Sequence, residues 1–407
     1  MPIDDTPSPD ELAEYRERAR SWLKPNMPPI DQAIPHHRQD NAHLKALMRT
    51  LHSGGYSGIC FPTEVGGAGL SREHHRVFCA EAAGYELPAF ASNPGLAIVA
   101  PPILEFGTDA QKQHIRAMLE GRAVFAQLMS EPSGGSNMAG ALTRADRDGD
   151  SWILNGSKVW SSGAWRADWG LLLARTNWDV PKHQGLSMFL VDLKLPGVEV
   201  RPIKMVDGRS DFCEEFFRDV VVPDACLLGA PGGGWTVAQN LLYHERNSAG
   251  GGSPYAFNRE KGREHGGTGI DLTEIARRRG SVDDPRVHEL LGEAYVLDLV
   301  AQQLVDRVTD AIRAGVLPAI AGSMLRLSAG ERAVRRSTIA LELGGVGAVT
   351  WERPDEAEVA MGYVRRQALC IGGGTTEMQR NLVSERLMGM PREPAADVGV
   401  PFRVVRH

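Results

Sequence analysis

Three short segments stand out for residue types and spacing that could do chemistry, and the first of them suits the binding of a polar ring system. The first runs Gln127-Leu-Met-Ser-Glu-Pro-Ser-Gly-Gly-Ser-Asn-Met-Ala-Gly. A short apolar run gives way to Ser-Glu-Pro, a glycine pair and Ser-Asn. That is a loop with free backbone N–H groups and hydroxyls, able to cradle an anionic or polar ring. The same residues also make an ordinary turn. The second segment is Asn155-Gly-Ser-Lys-Val-Trp-Ser-Ser-Gly-Ala, and the third is Ile371-Gly-Gly-Gly-Thr-Thr-Glu-Met-Gln-Arg-Asn. Other chemistries find no support. Gly345-x-Gly347 lacks the third glycine and the preceding strand of a dinucleotide fingerprint. His36-His37 and His74-His75 have no acidic or cysteine partner at ligand spacing and read as surface residues. No Gly-x-Ser-x-Gly elbow or Walker loop occurs.

Together the three segments resemble the acyl-CoA dehydrogenase family, whose members carry a T-E-P-x-A-G-S-D loop, an N-G-x-K-x-W-I-T hairpin and a late G-T-[ST]-[EQ]-x-Q-R run. Phe61-Pro-Thr-Glu-Val-Gly-Gly-Ala-Gly-Leu-Ser, the Leu-Gly-Gly-x-Gly of Leu343–Gly347 and the strand Phe216–Pro223 extend the match along nearly the whole chain. The resemblance implies FAD. It places Gln127, Met129, Ser130, Gly135 and Ser136 against the isoalloxazine ring, with Ser136 also near substrate. Trp160 and Ser162 would flank the ring, Ser162 standing where Thr is usual. Thr375 and Glu377 lie where the family contacts the ribityl and diphosphate region. Gly344 and Gly345 lie where a neighbouring subunit meets the cofactor tail. Trp152 reads as core.

The family oxidises an acyl-CoA across Cα–Cβ, a carboxylate taking the α-proton while hydride leaves Cβ for the flavin. Many members place that Glu directly before the late G-T; here the position is Gly373. An isovaleryl-CoA dehydrogenase-like branch places it before an Arg on an earlier helix. Here that reads Leu241-Leu-Tyr-His-Glu-Arg, which gives Glu245 as base and puts Tyr243 and Arg246 beside substrate. Helical geometry supports Glu245 independently. Ala238, Leu241 and Leu242 precede it by seven, four and three residues, so all share one face. A carboxylate on a buried stripe becomes a better base near neutrality. A paired, structural Glu245 is the alternative. By resemblance, the backbone N–H of Gly373 would still bind the thioester oxygen.

The chain departs from the family at several points. Gln127 stands where an aromatic is common, and Asn137 where Asp is usual. The Arg-x-x-Phe-Gly segment that reaches a neighbour's FAD is replaced by Leu272-Thr-Glu-Ile-Ala-Arg-Arg-Arg-Gly. Arg277, Arg278 or Arg279 can substitute, or they form a solvated basic turn. Leu341 replaces a usual Gln. These losses fall on the cross-subunit half of the flavin site, as in heterotetramers where only some interfaces bind FAD.

The elements that must position these residues read as helices, then strands, then helices. This is an α+β chain with an N-terminal helical domain over 1–120, a middle β-barrel-like domain over 121–230 and a C-terminal helical bundle over 231–407. Ser8-Pro9-Asp10-Glu11 opens a helix. Asp40–His52 is a second, with Leu44, Leu47, Met48 and Leu51 on one face, and Ser71 caps a third. Ser151–Trp160 predicts two short strands around an Asn-Gly turn. Residues 249–280 read as an irregular, solvated insertion.

At 407 residues the chain is long enough for two or three domains, and its net charge of −6 leaves nothing to grip nucleic acid. Five widely spaced cysteines make no disulfide framework or zinc knuckle, and a reducing compartment fits them. No membrane span or secretory signal is visible. The expectation is a cytoplasmic acyl-CoA dehydrogenase of fatty acid or sterol catabolism, assembled as a homo- or hetero-oligomeric dimer of dimers. It would pass electrons to electron-transfer flavoprotein or a similar acceptor. A catalytically silent subunit of a heteromeric dehydrogenase and a flavin oxidase or monooxygenase are the rival readings.

Overall fold

A computed structural model of the chain describes residues 7–34, 38–88, 90–249, 253–257, 271–351 and 353–405. Helices, strands and helices follow one another as the sequence predicts. The chain forms two compact units, Met1–Glu260 with Ala395–His407, and Lys261–Pro394.

In the first unit, α1 (Pro9–Asn26) opens where Ser8 accepts the Glu11 N–H, and Pro9 sits where no N–H is needed. Helix α2 (Asn41–Ser53) is capped by Asp40 and buries Leu44, Leu47, Met48 and Leu51. Helix α3 (Arg72–Glu81) starts from Ser71. It corrects one expectation: His74 and His75 are buried, not surface residues. They share the inward face with Val77 and Phe78, and each finds a polar partner there. His74 Nδ1 meets Ser71 Oγ at 2.8 Å, and His75 Nε2 lies 3.6 Å from Cys79 Sγ. Burial pushes His75 down to about 4, so it packs as a neutral ring. His36 and His37 lie outside the described residues. A π-helical segment, Ala91–Val99, then leads through α4 (Ala100–Phe106) and α5 (Asp109–Leu119) to the sheet.

The sheet comprises β1 (Phe125–Leu128), β2 (Arg144–Asp148), β3 (Ser151–Ser162), β4 (Trp169–Arg175), β5 (Leu186–Asp192), β6 (Val198–Ile203), β7 (Phe212–Pro223) and β8 (Leu227–Leu228). Its order is β6-β7-β3-β2-β4-β5-β8, with β1 parallel to β4 off this path. The predicted Asn-Gly turn is not a turn. Asn155 and Gly156 lie inside the single strand β3, at a bulge against β7. Gly156 has φ +147°, and a Cβ there would come within 2.6 Å of Thr143 Oγ1, so the glycine serves a close strand crossing. The turn between β2 and β3 is made instead at Gly149, φ +56°. Asp168 ties helices to sheet: it accepts from Val124 N–H at 2.9 Å and from Lys45 and Lys194 at 3.0 and 2.9 Å.

Helix α6 (Gly234–Ala249) packs on β5, α4 and the π-helical segment. The stretch after it is not wholly solvated, as its charge had suggested. Ala256 and Phe257 are buried in the same core, and the Tyr255 ring packs tilted against Phe61 with ring centroids 4.3 Å apart. The aromatic side chains find apolar surface even though the flanking residues are charged. Residues 250–252 and 258–270 lie outside the described residues. After the second unit, the chain returns to bury Phe402, whose ring centroid lies 3.5 Å from the Arg175 guanidinium carbon.

The second unit contains α7 (Leu272–Arg278), α8 (Pro285–Arg313), α9 (Gly322–Thr350), α10 (Pro354–Arg365) and α11 (Thr376–Leu382). Its core joins Leu272, Val287, Leu290, Ile339 and Leu343. Asp284 caps α8 by accepting the Arg286 N–H, with Pro285 in the first turn. No described helix in either unit is long and apolar enough to cross a membrane.

Candidate active site

The first segment leaves β1 as a loop anchored from below. Lys158, fully buried on β3, donates to Met129 O at 3.1 Å and to Glu131 Oε1 at 2.8 Å. Glu131 also accepts from the N–H groups of Leu142 and Thr143 at 2.6 and 2.9 Å. Burial alone pushes Glu131 up. The Lys158 ammonium and these hydrogen bonds outweigh it and hold the carboxyl below its ordinary value. Val159 N–H donates to Ser130 O at 3.0 Å, which fixes the loop to the strand. Met129 and Ser130 are therefore held against the Lys158–Trp160 stretch of β3, while Gln127 pairs on β1 with Leu171 and Ser162 ends β3 opposite Phe212. Gly135 and Ser136 are exposed on the same loop, folded back so that a Cβ on Gly135 would lie 3.3 Å from Ser130 Oγ. Gln127 Oε1 is buried and has no hydrogen-bond partner. A buried orphan acceptor calls for a donor from outside the protein.

Trp160 is the extra residue of a second bulge in β3. Pairing steps from Val159 opposite Glu214 to Ser161 opposite Cys213. Trp160 takes φ +65°, unusual for a bulky residue, and is 57% exposed. Bulges re-aim side chains, and this one presents an indole at the surface beside the loop. Trp152, by contrast, is buried, its Nε1 donating to Asp224 at 2.7 Å.

On β7, opposite Lys158, lies Glu215, fully buried, with Oε2 accepting from Ser161 Oγ at 2.8 Å. Burial pushes its carboxyl up to about 8, against the Ser161 bond and the Lys158 charge. The folded protein then keeps a proton that the unfolded chain releases between its ordinary pKa of 4.5 and about 8. Stability must fall as pH rises across that window. Glu215→Gln removes the titration, so its melting temperature relative to wild type is expected to climb between pH 5 and pH 8.5. Calorimetry at the two pH values checks this; a constant difference would contradict it.

Glu245 follows Ala238 and Leu241, both buried, and Leu242, partly buried against the same core, on α6, and is itself half-buried. The helix thus places the carboxylate at the edge of an apolar stripe, as the spacing predicts. Arg246 is half-buried; burial lowers its pKa, with the Glu245 and Tyr243 charges opposing. Tyr243 is 40% exposed, its ring edge-on to His244.

The remaining candidates lie in the second unit. Gly373 and Gly374 have φ +71° and +94°, and both carbonyls accept from Gln379 Nε2, at 3.0 and 3.2 Å. Thr375 caps α11 by accepting from Met378 N–H, and Glu377 is exposed in its first turn. Gly344 and Gly345 lie within α9, which breaks at Gly345 with φ +53° and ψ −142°. The basic run preceding α8 is only partly a solvated turn. Arg277 and Arg278 pair with Glu274 at the surface. Arg279 instead donates to Gly344 O, and its guanidinium fills the space where a Cβ on Gly345 would stand. The kink leaves a carbonyl without its helical partner, and an arginine fork satisfies it.

Three family models match in order: acyl-CoA dehydrogenase N-terminal domain over residues 9–122, middle domain over 126–220 and C-terminal domain over 232–388. The chain belongs to the acyl-CoA dehydrogenase family. Acyl-CoA dehydrogenase IpdE1 of Mycolicibacterium smegmatis is 31% identical over 400 residues, covering 94% of this chain and 99% of that protein. Among solved structures, the Tcur3481-Tcur3483 steroid ACAD shares 27% identity and a TM-score of 0.76, covering 97% and 100% of the two chains. The ChsE4-ChsE5 complex from Mycobacterium tuberculosis shares 26% identity and a TM-score of 0.70, covering 95% and 99%. The acyl-CoA dehydrogenase homologues are oxidoreductases with a flavin acceptor.

Sequence reasoning passed over the charges under the site. Lys158 and Glu215 fall at inward positions of their strands, between residues such as Leu154 and Phe217. That break in alternation is visible in the sequence.

Proposed function

We propose that this chain binds FAD and dehydrogenates an acyl-CoA thioester across Cα–Cβ, with Glu245 as the base. The observation that carries the reading is the pairing of two positions. Glu245 emerges from the buried stripe of α6, and Gly373 has no side chain to serve instead. The first-unit residues fit the cofactor. Gln127 Oε1 is an orphan acceptor, Ser130 and Ser136 offer hydroxyls, and Trp160 offers an aromatic face. Bound FAD supplies the acceptor for the hydride leaving Cβ. Glu245 takes the α-proton onto its carboxylate. The Gly373 N–H binds the thioester oxygen and stabilises enolate-like charge, and losing one such donor costs about 3–4 kcal/mol in oxyanion sites. Thr375 and Glu377 serve the ribityl and diphosphate region, and Tyr243 and Arg246 border the substrate. Electrons leave for electron-transfer flavoprotein or a similar soluble acceptor in the cytoplasm.

The assembly in this reading is a dimer of dimers. Tyr295, Val296 and Val300 on α8 and Val346 and Val349 on α9 are each more than half exposed, apolar side chains that a further subunit would cover. One observation favours a half-site subunit of a heteromeric dehydrogenase: Arg279 is engaged with the Gly344–Gly345 kink, the stretch that would meet a neighbour's FAD. The steroid-named structure among the solved neighbours, and the lack of a side chain at Gly373, support a branched or ring-bearing acyl group. Gly251 and Gly252, whose sequence suggests a relaxed end to the helix that closes the acyl pocket in the family, lie outside the described residues.

The purified chain, alone and with partner chains, is expected to bind FAD non-covalently and to bleach with CoA esters. Branched or steroid-side-chain esters are expected to exceed straight-chain ones at least tenfold in kcat/KM, about 1.4 kcal/mol. A colourless chain that takes up no FAD in either state defeats the cofactor assignment. A preference for straight chains defeats the substrate class alone. Reduced protein reoxidised rapidly by O2 would favour the oxidase reading.

A further inference from the structure

The bulge at Trp160 needs something to hold it. A bulky residue in the left-handed region is strained and persists only where its surroundings over-determine it. Strand pairing alone does not supply this, because the β3–β7 register slips at that residue. One side-chain bond spans the slip. Glu215 stands opposite Lys158, before the bulge, yet its Oε2 accepts from Ser161 Oγ, after it, at 2.8 Å. Ser161 lies between Trp160 and Ser162 and is itself buried.

Glu215 is a costly residue for its place. Cys213 and Phe217 flank it on the same buried face, where an apolar side chain would pack without penalty. Its second oxygen, Oε1, is buried with no hydrogen-bond partner. The Lys158 ammonium is directed to Met129 O and Glu131. A group that leaves a buried atom unsatisfied does not serve stability, and such departures concentrate at functional sites. We propose that Glu215 is a positioning residue for the flavin face: through its bond to Ser161 it holds the bulge that presents Trp160 and Ser162. The consequence for flavin rests on the FAD reading above; the clasp itself does not.

The test uses the full chain labelled with 5-fluorotryptophan, with the Trp160 19F resonance assigned by Trp160→Phe. Ser161→Ala and Glu215→Val are expected to shift or broaden that resonance in flavin-free protein and to weaken FAD binding at least tenfold. Glu215→Gln keeps an acceptor for Ser161 and is expected to keep the wild-type resonance, with affinity within threefold. Circular dichroism confirms folding, and Ser161→Ala, which removes a single oxygen, carries the test if Glu215→Val does not fold. An unchanged Trp160 resonance in Ser161→Ala overturns the clasp. A changed resonance with unchanged FAD affinity overturns its role toward flavin. If wild-type protein binds no FAD, the cofactor reading fails while the resonance still decides the clasp.

Discussion

Glu245→Gln is expected to abolish substrate-dependent flavin bleaching while FAD stays bound. The replacement holds shape nearly constant and removes proton acceptance. Glu245 reaches the edge of the α6 stripe, in the same compact unit as the Gln127–Gly140 loop and the Trp160 bulge. No carboxylate at 373 can take over its task. General-base catalysis typically supplies 10²–10⁴-fold, so the flavin reduction rate in stopped flow should fall by at least two orders of magnitude. Retention of more than about a tenth of the wild-type rate would point to another base. The absorbance of bound FAD, measured on the same sample, separates lost chemistry from lost cofactor.

The placement of Glu245 was legible because a helix writes its faces into the sequence: residues three, four and seven apart must share a side. The capping residues Ser8 and Ser71 were legible for a similarly local reason, since each acts on an N–H three residues away. The errors arose where long-range packing outweighed local chemistry. Asn-Gly reads as a turn until Thr143 is brought against Gly156. His74 and His75 read as polar surface until α1 supplies Tyr15, whose ring meets His74 edge-on. Arg279 reads as solvated until α9 breaks at Gly345 and leaves it a carbonyl. The buried Lys158–Glu131 pair joins residues far apart in the chain; only the misplaced charge on an inward strand position hinted at it.

That pair gives the largest stability effect expected from a single residue. Lys158→Met leaves Glu131 buried without its counter-ion, and breaking a buried pair from one side costs about 3–5 kcal/mol. At about 2 °C per kcal/mol for a unit of this size, the melting temperature should drop by about 6–10 °C. The loop should loosen as well, because the Met129 carbonyl loses its bond to Lys158 Nζ. FAD affinity is therefore expected to fall with stability. The double replacement of Lys158 by Met and Glu131 by Gln should be milder than Lys158→Met alone, since no bare charge is then buried, although the single amide oxygen can accept only one of the N–H groups of Leu142 and Thr143 that the two carboxylate oxygens accept. A double variant at least as unstable as the single one would show that packing, not charge, governs the site. The pH dependence has a definite sign. Glu131 is held below its unfolded value of 4.5, so its contribution is present above that value and is lost as pH falls through the lower folded pKa. The stability gap between wild type and Glu131→Gln should therefore narrow on the acid side and remain constant from pH 6 to 7.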